Sequence, residues 1–215
     1  VDILLARIEL IAGRMFPLEQ APDYEPGVMQ SFLVRARQRG CTALEALYDH
    51  FAAGDGSNLV YFPIFNYNGG NLDTVRQMLE HPRALLGLSD AGAHVGTVCD
   101  ASATTFMLSH WVLGRAQGKL PLERAVHLLS GRNAAYLGLS DRGRIAPGLR
   151  ADINLIDPAR LAVGTPRLVR DMPAGGKRFL QVAQGYIGTW VAGRCVQRGG
   201  AVTDQRPGKL VRMGR

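Results

Sequence analysis

The chain has 215 residues, 47% of them hydrophobic, and a formal net charge of +7. This is the composition of a globular protein of one or two domains. It contains no apolar run near the ~20 residues that a membrane-spanning helix needs. Its basic residues also lack the interleaved aromatic side chains of a nucleic-acid surface. We therefore expect neither a membrane nor a nucleic acid as a partner. The three cysteines are widely spaced, which argues against a disulfide framework and predicts a reducing, cytoplasmic location.

Helices dominate the predicted structure of residues 1–58. Three prolines within residues 15–26 interrupt the helical pattern and predict a loop there. Thr42 and Glu45 have the spacing of a capping box, in which each residue hydrogen-bonds the backbone of the other. This pair predicts a helix that begins just after Thr42 and stops at Gly54.

A strand–helix–strand unit is predicted next. Residues 59–65 are aromatic and β-branched, which favours a strand, although the proline within them conflicts with that prediction. A loop at 66–70 leads to a helix that Asn71 caps and Pro82 ends. The apolar run that follows predicts a buried strand at 84–89. This order, with a crossover of about a dozen residues, is typical of a parallel sheet.

The second half of the chain changes from helices to short strands. Apolar residues at helical spacing predict a helix over 104–117, a second one that opens at Pro121, and a short one over 133–137. From Gly143 onward, glycines and prolines separate short β-type runs. Residues 186–198 have the pattern of a hairpin.

The segment from Gly87 to His94, with the sequence GLSDAGAH, is the strongest candidate for chemistry. Asp90 stands where the strand predicted at 84–89 should end, and His94 follows four positions later. A carboxylate at the carboxyl end of a parallel strand faces the mouth of an α/β barrel, where such proteins collect catalytic groups. An aspartate that caps the next turn fits the same pattern equally well.

In a longer stretch, residues 79–96, the sequence resembles the N-acyl-D-amino-acid deacylase (D-aminoacylase-like) branch of the amidohydrolase superfamily, but only its C-terminal portion. Further segments that agree are Phe16–Leu18, Asp23–Pro26, Tyr61–Tyr67 and Gly143–Asp152. The resemblance implies an α/β fold: the C-terminal part of a TIM-type (β/α)8 metallo-dependent hydrolase barrel over residues 1–140. The C-terminal part of a small β-sandwich domain would follow over residues 141–215.

The same resemblance implies the chemistry. Asp90 would shuttle the proton in hydrolysis of a linear amide, such as an N-acyl amino acid, and would also contact zinc or another divalent metal. His94 would lie near the substrate, and Asn66 and Tyr67 would face the same pocket. For His94 the alternative is a hydrogen bond that orients its own loop, and for Asn66 and Tyr67 it is a plain loop role.

Two departures limit what the resemblance implies. The sequence has no match to the His-x-His pair that is among the metal ligands of the superfamily it resembles. We therefore expect this chain alone to bind no zinc stably and to be inactive. Residues 95–102 also lack the arginine that in well-studied D-aminoacylases binds the substrate carboxylate, which leaves the substrate class open. The chain starts at Val1 rather than Met, which suggests a fragment, a processed subunit or a trimmed chain.

Three rival functions stay open on the sequence, of which nucleic-acid binding rests on the positive charge alone and would require salt-sensitive binding. Another superfamily reaction, cyclic-amide opening or deamination, fits the same motif. A non-catalytic assembly module fits as well, because a partial barrel exposes strand edges and apolar surface. For the same reason we expect a homo-oligomer or association with an N-terminal fragment. Apart from these rival functions, Cys99 is an alternative to Asp90 as the catalytic group, a nucleophile with His94 as its base. It ranks below the carboxylate because nothing nearby would depress its thiol pKa.

Overall fold

The structure is a computed structural model that describes residues 7–67, 69–87, 89, 96 and 99–212. The chain divides into two compact units. The first comprises Val1–His81 with Arg167–Val169, and the second comprises Pro82–Pro166 with Arg170–Arg215. The domain boundary predicted at residue 140 stays a prediction. In the described part of the chain, no helix is long and apolar enough to cross a bilayer.

The first unit contains short helices and one pair of strands. Its elements are α1 (Ile8–Ile11), β1 (Phe16–Leu18), α2 (Phe32–Arg39), α3 (Ala43–Ala52), β2 (Leu59–Tyr61) and α4 (Asp73–Glu80), with 3-10 turns at Ala12–Arg14 and Val28–Gln30. Apolar side chains from the first three helices form its core. The buried members are Ile8, Ala12, Met15, Phe32, Ala36, Ala43, Ala46 and Leu47.

The sequence predicts how two of these helices begin, and the structure confirms one of the two starts. The capping box is confirmed, since the Glu45 amide donates to Thr42 Oγ1 at 3.2 Å and the Thr42 amide donates to Glu45 Oε2 at 2.8 Å. The prediction that Asn71 caps the next helix is wrong by one position, because the N-cap of α4 is Leu72, without a side-chain cap hydrogen bond. The side chain of Asn71 instead accepts from the amide of Asp73, the first residue of α4, at 3.0 Å.

The prediction of a loop throughout residues 15–26 is wrong at β1, which pairs antiparallel with β2. Pro17 lies opposite Val60 in this pair. A proline is tolerated there because a two-stranded sheet has only edge strands, on which a missing N–H can face away from the partner.

The prediction of a parallel strand–helix–strand unit is also wrong for the residues that the structure describes. β2 ends at Tyr61, and residues 84–87 and 89 are not in a strand. The carbonyls of Pro63, Ile64 and Leu86 accept hydrogen bonds from side chains instead of from neighbouring strands. Accordingly, the described residues form a mixed α/β structure without a closed barrel.

The second unit packs helices with a small antiparallel sheet. Its helices are α5 (Ala103–Phe106), a π-helix (Met107–Gly114), α6 (Leu122–Leu129) and α7 (Gly131–Tyr136). Its strands include β3 (Ile153–Ile156), β4 (Ala162–Val163), β7 (Ala183–Gln184), β8 (Tyr186–Val191), β9 (Arg194–Arg198) and β10 (Ala201–Val202). Two further strands follow β4 in chain order and precede β7: β5 (Arg167–Met172) and β6 (Gly176–Leu180). The larger sheet has the order β10–β9–β8–β3.

The hairpin predicted over residues 186–198 is confirmed as β8 and β9. Ala192 and Gly193 form its turn with φ values of +49° and +75°. Positive φ at both central residues is the signature of a type I′ turn, whose twist matches that of the flanking strands.

Candidate active-site segments

Asp90 and His94, the two residues on which the sequence analysis depends most, lie outside the described residues. The chain just before them is described as far as Gly87, and again at Ser89. The described residues show how the main chain just before Asp90 is held in place.

Helix α7 provides that support. Asn133 Nδ2 donates a hydrogen bond to the carbonyl oxygen of Leu86 at 2.9 Å. The neighbouring Arg132 donates from its guanidinium to the carbonyl of Pro82. Two consecutive helical residues thus hold both ends of the segment 82–86, across about fifty positions of sequence.

Helix α7 lies where it does for local reasons. Ser130 ends α6 and precedes α7, so the two helices meet with no loop between them. Beyond α7 the chain turns at Gly138, with φ of +67°, the left-handed conformation typical of a helix C-terminus. Ala134 is buried with 7% of its surface exposed. The helix therefore packs on the face that carries Ala134, and the adjacent Asn133 reaches the main chain of Leu86.

The second predicted part of the site is the loop with Asn66 and Tyr67. Asn66 is exposed and has φ of +60°, a left-handed conformation that asparagine tolerates better than most residues. Tyr67 is buried, with 3% of its surface exposed, and its hydroxyl donates to the carbonyl oxygen of Pro26 at 2.7 Å. Burial, and secondarily the negative charge of Glu25, raises the pKa of the Tyr67 phenol.

Tyr67 belongs to a chain of contacting aromatic rings that we call the aromatic platform: Tyr24, Tyr61, Phe16 and Tyr67. Phe16 meets Tyr67 edge-on with ring centroids 6.2 Å apart, and Tyr24 meets Tyr61 edge-on at 5.3 Å. Such geometry is preferred by the ring quadrupoles. Because Phe16 and Tyr61 lie opposite each other in the β1–β2 pair, the platform is built on that sheet.

Two charged side chains fix the chain around the platform. Arg14 Nη2 donates to the carbonyls of Pro63 and Ile64 at 2.8 and 2.9 Å. Glu25 Oε1 accepts from the amide of Leu72 at 2.8 Å, just before α4 begins. No sequence pattern indicates that Arg14, Glu25 and Asn133 hydrogen-bond the main chain near the predicted site residues. No spacing rule finds them, since these bonds join residues 47 to 50 positions apart.

Comparison with known proteins then decides the family. A match to the amidohydrolase family covers residues 62–197, more than half of the chain. The chain belongs to the amidohydrolase family.

Curated relatives match this chain with only part of their length. It is 37% identical over 100 residues to an N-acyl-D-aspartate deacylase of Alcaligenes xylosoxydans xylosoxydans, covering 46% of this chain and 18% of the relative. It is 33% identical over 112 residues to an imidazolonepropionase of Ruegeria sp. (strain TM1040), covering 51% of this chain and 26% of the relative. The chain thus spans about a fifth to a quarter of the curated relatives it matches.

Two solved D-aminoacylase structures also align with this chain. One was described as defining a novel subset of amidohydrolases, and the other comes from work on the functional role of a binuclear metal center in D-aminoacylase. Each alignment covers 91% of this chain and 37% of the other, with identities of 24% and 25% and TM-scores of 0.47 and 0.46.

Two histidines on helices, His50 and His110, make contacts of a structural kind. His50 Nε2 lies 3.0 Å from the carbonyl oxygen of Leu59, and its ring meets Phe32 edge-on. His110 stacks on Phe106 with ring centroids 4.5 Å apart. In the part of the chain that is described, no three His, Cys, Asp or Glu side chains come together as a metal site would require.

Cys99 lies in surroundings that disfavour a nucleophile. Burial, and secondarily the charge of Asp100, raises the pKa of its thiol. The thiolate is the reactive form of cysteine, so a raised pKa lowers reactivity at neutral pH. This direction agrees with ranking Cys99 below the carboxylate.

Proposed function

We propose that these residues form the C-terminal portion of a metal-dependent amidohydrolase that hydrolyses linear amides, most simply N-acyl-D-amino acids. The family match over residues 62–197, which includes Asp90, carries this proposal. The identity with the N-acyl-D-aspartate deacylase supports the choice of a linear amide. The acyl group and side chain of the substrate are left open.

Asp90 is the residue of this chain to which we assign a chemical step. Its carboxylate accepts a proton as a water molecule attacks the amide carbon. It then delivers that proton to the leaving nitrogen as the C–N bond breaks, so the products are a carboxylic acid and an amine. Proton transfer by a positioned side chain contributes typically ~100- to 10,000-fold to the rate. His94 and the loop with Asn66 and Tyr67 are proposed to contact the substrate, and these roles stay predictions.

Zinc does not fit the donors of the described residues, because no three potential ligands converge there. A catalytic zinc site takes three protein ligands and an open position. We therefore assign no step to zinc through the described residues. A metal contact by Asp90 stays a prediction.

The test is Asp90→Asn in the complete enzyme that contains these residues, with Asp204→Asn on an exposed turn as the matched control. We expect Asp90→Asn to abolish turnover of N-acyl-D-amino acids while metal content stays near that of the wild type, and the control to keep full activity. Retained turnover in Asp90→Asn would overturn the assignment.

The isolated chain provides a second test. We expect the purified 215 residues to hydrolyse no amide and to hold no stoichiometric zinc by elemental analysis. Zinc at one equivalent together with amide hydrolysis would show that these residues are not merely a portion of the active unit.

A second candidate is another reaction of the same family, cyclic-amide opening or deamination. The 33% identity with an imidazolonepropionase supports it. A substrate panel of N-acyl-D-amino acids, hydantoins and aminopurines separates the two candidates. Turnover of a ring substrate alone would favour the second.

A further inference from the structure

We propose that Asn133 is a positioning residue, which holds the main chain at Leu86 and thereby sets the course of the segment that leads to Asp90. The inference rests on the proposed function for the role of Asp90. The local restraint that it describes stands on the structure alone.

The restraint is specific in its geometry. The Asn133 amide donates to the carbonyl oxygen of Leu86 at 2.9 Å, and Arg132 donates to that of Pro82. Residues 84–87 are not part of a strand. Their carbonyls therefore lack the regular ladder that would otherwise fix the backbone.

The orientation of the Asn133 amide follows from this bond. Its nitrogen must face the Leu86 carbonyl, because the amide oxygen there would place two acceptors together. The oxygen Oδ1 then points elsewhere, and it is buried without a hydrogen-bond partner among the residues that the structure describes. The Asn133 nitrogen thus binds the main chain at Leu86, and its oxygen is a buried acceptor.

Asp90 follows Leu86 by four positions, a contour of at most roughly 13 Å at about 3.3 Å per residue. An anchor this close limits where the carboxylate can be placed. Misplacement of a reacting group by about 1 Å can cost on the order of 100-fold in rate. Among the residues that the structure describes, the hydrogen bond of Asn133 goes to main chain, which makes it a positioning residue and not a catalytic one.

The first test is hydrogen exchange, measured by mass spectrometry on the purified chain. Asn133→Asp keeps the shape of the side chain but replaces the donor by an acceptor. We expect amides in peptides over residues 83–89 to exchange roughly tenfold faster or more, since their local restraint is lost, while peptides over α6 keep their protection. Asn154→Asp is the matched control, because Asn154 is exposed and acts there as an acceptor for Thr189. Unchanged exchange over 83–89, or equal loss of protection in α6, would overturn the proposal.

The second test is steady-state kinetics in the complete enzyme. We expect Asn133→Asp to lower kcat roughly 10- to 100-fold with KM and metal content near wild type, and Asn133→Gln, which keeps the donor, to restore part of kcat. A raised KM at unchanged kcat would overturn the positioning role. If Asp90→Asn stays active, the proposed function fails, and the hydrogen-exchange result alone then decides whether Asn133 restrains the segment.

Discussion

Tyr67→Phe tests whether the phenol of the aromatic platform stabilises the fold. The substitution removes only the hydroxyl, which donates to the carbonyl of Pro26 at 2.7 Å in a residue that is 3% exposed. The carbonyl would then lose its donor in a buried setting, which costs about 1–2 kcal/mol of unfolding free energy. For a chain of this size that corresponds to a Tm lower by roughly 2–8 °C.

Urea denaturation followed by circular dichroism measures this loss. Tyr48→Phe is the matched control, because Tyr48 is 70% exposed on α3, and we expect it to stay within about 0.5 kcal/mol of the wild type. Equal unfolding midpoints for the two variants would refute the reasoning. Such a result would mean that the Tyr67 hydroxyl does not stabilise the fold.

The same residue predicts a pH dependence. Its pKa in the fold is raised by burial, whereas an unfolded tyrosine titrates near about 10. The unfolded state then binds fewer protons than the fold above pH ~10. The contribution of Tyr67 is fully present below that pH, and it is lost as the pH rises through the raised pKa of the folded state. Stability of Tyr67→Phe should therefore fall less steeply in this alkaline window than that of the wild type, and parallel curves would contradict the assignment.

Gly143→Ala should destabilise more than Gly148→Ala, by about 1–3 kcal/mol in urea. Both glycines have positive φ, +87° and +81°, but only at Gly143 would a Cβ lie 2.5 Å from the Cβ of Ala134, so equal losses would contradict the packing argument. Alkylation of Cys99, in a variant whose other two cysteines are serine, should require a higher pH than that of a free cysteine. Burial and Asp100 raise its thiol pKa. A pH midpoint of the alkylation rate at or below that of free cysteine would contradict this.

Local signals predicted local structure well. Thr42 and Glu45 mark the start of α3 because both halves of the capping box lie within one turn. Ala192 and Gly193 form the turn of the predicted hairpin because positive φ is set by the turn itself. In each case all the atoms that decide the structure lie within a few residues.

Strand pairing could not be predicted in the same way. Residues 84–89 have the composition of a buried strand, yet composition does not supply a neighbour. A strand exists only where another segment satisfies its hydrogen bonds. Residues 16–18, by contrast, contain a proline and still form a strand, because β2 is there to pair with them. Tertiary context overrides propensity in both directions.

Proline carbonyls in each unit accept hydrogen bonds from distant side chains. In the first unit these are the carbonyls of Pro26 and Pro63, and in the second unit that of Pro82. A proline has no N–H, so it interrupts the regular ladder around it, and its carbonyl still needs a donor when it is shielded from water. Tyr67 and Arg14 supply these donors to Pro26 and Pro63, which are buried, whereas Pro82, to which Arg132 donates, is exposed. A proline in the sequence indicates where a carbonyl will need a hydrogen-bond donor from elsewhere. Which residue donates depends on which distant element folds against it.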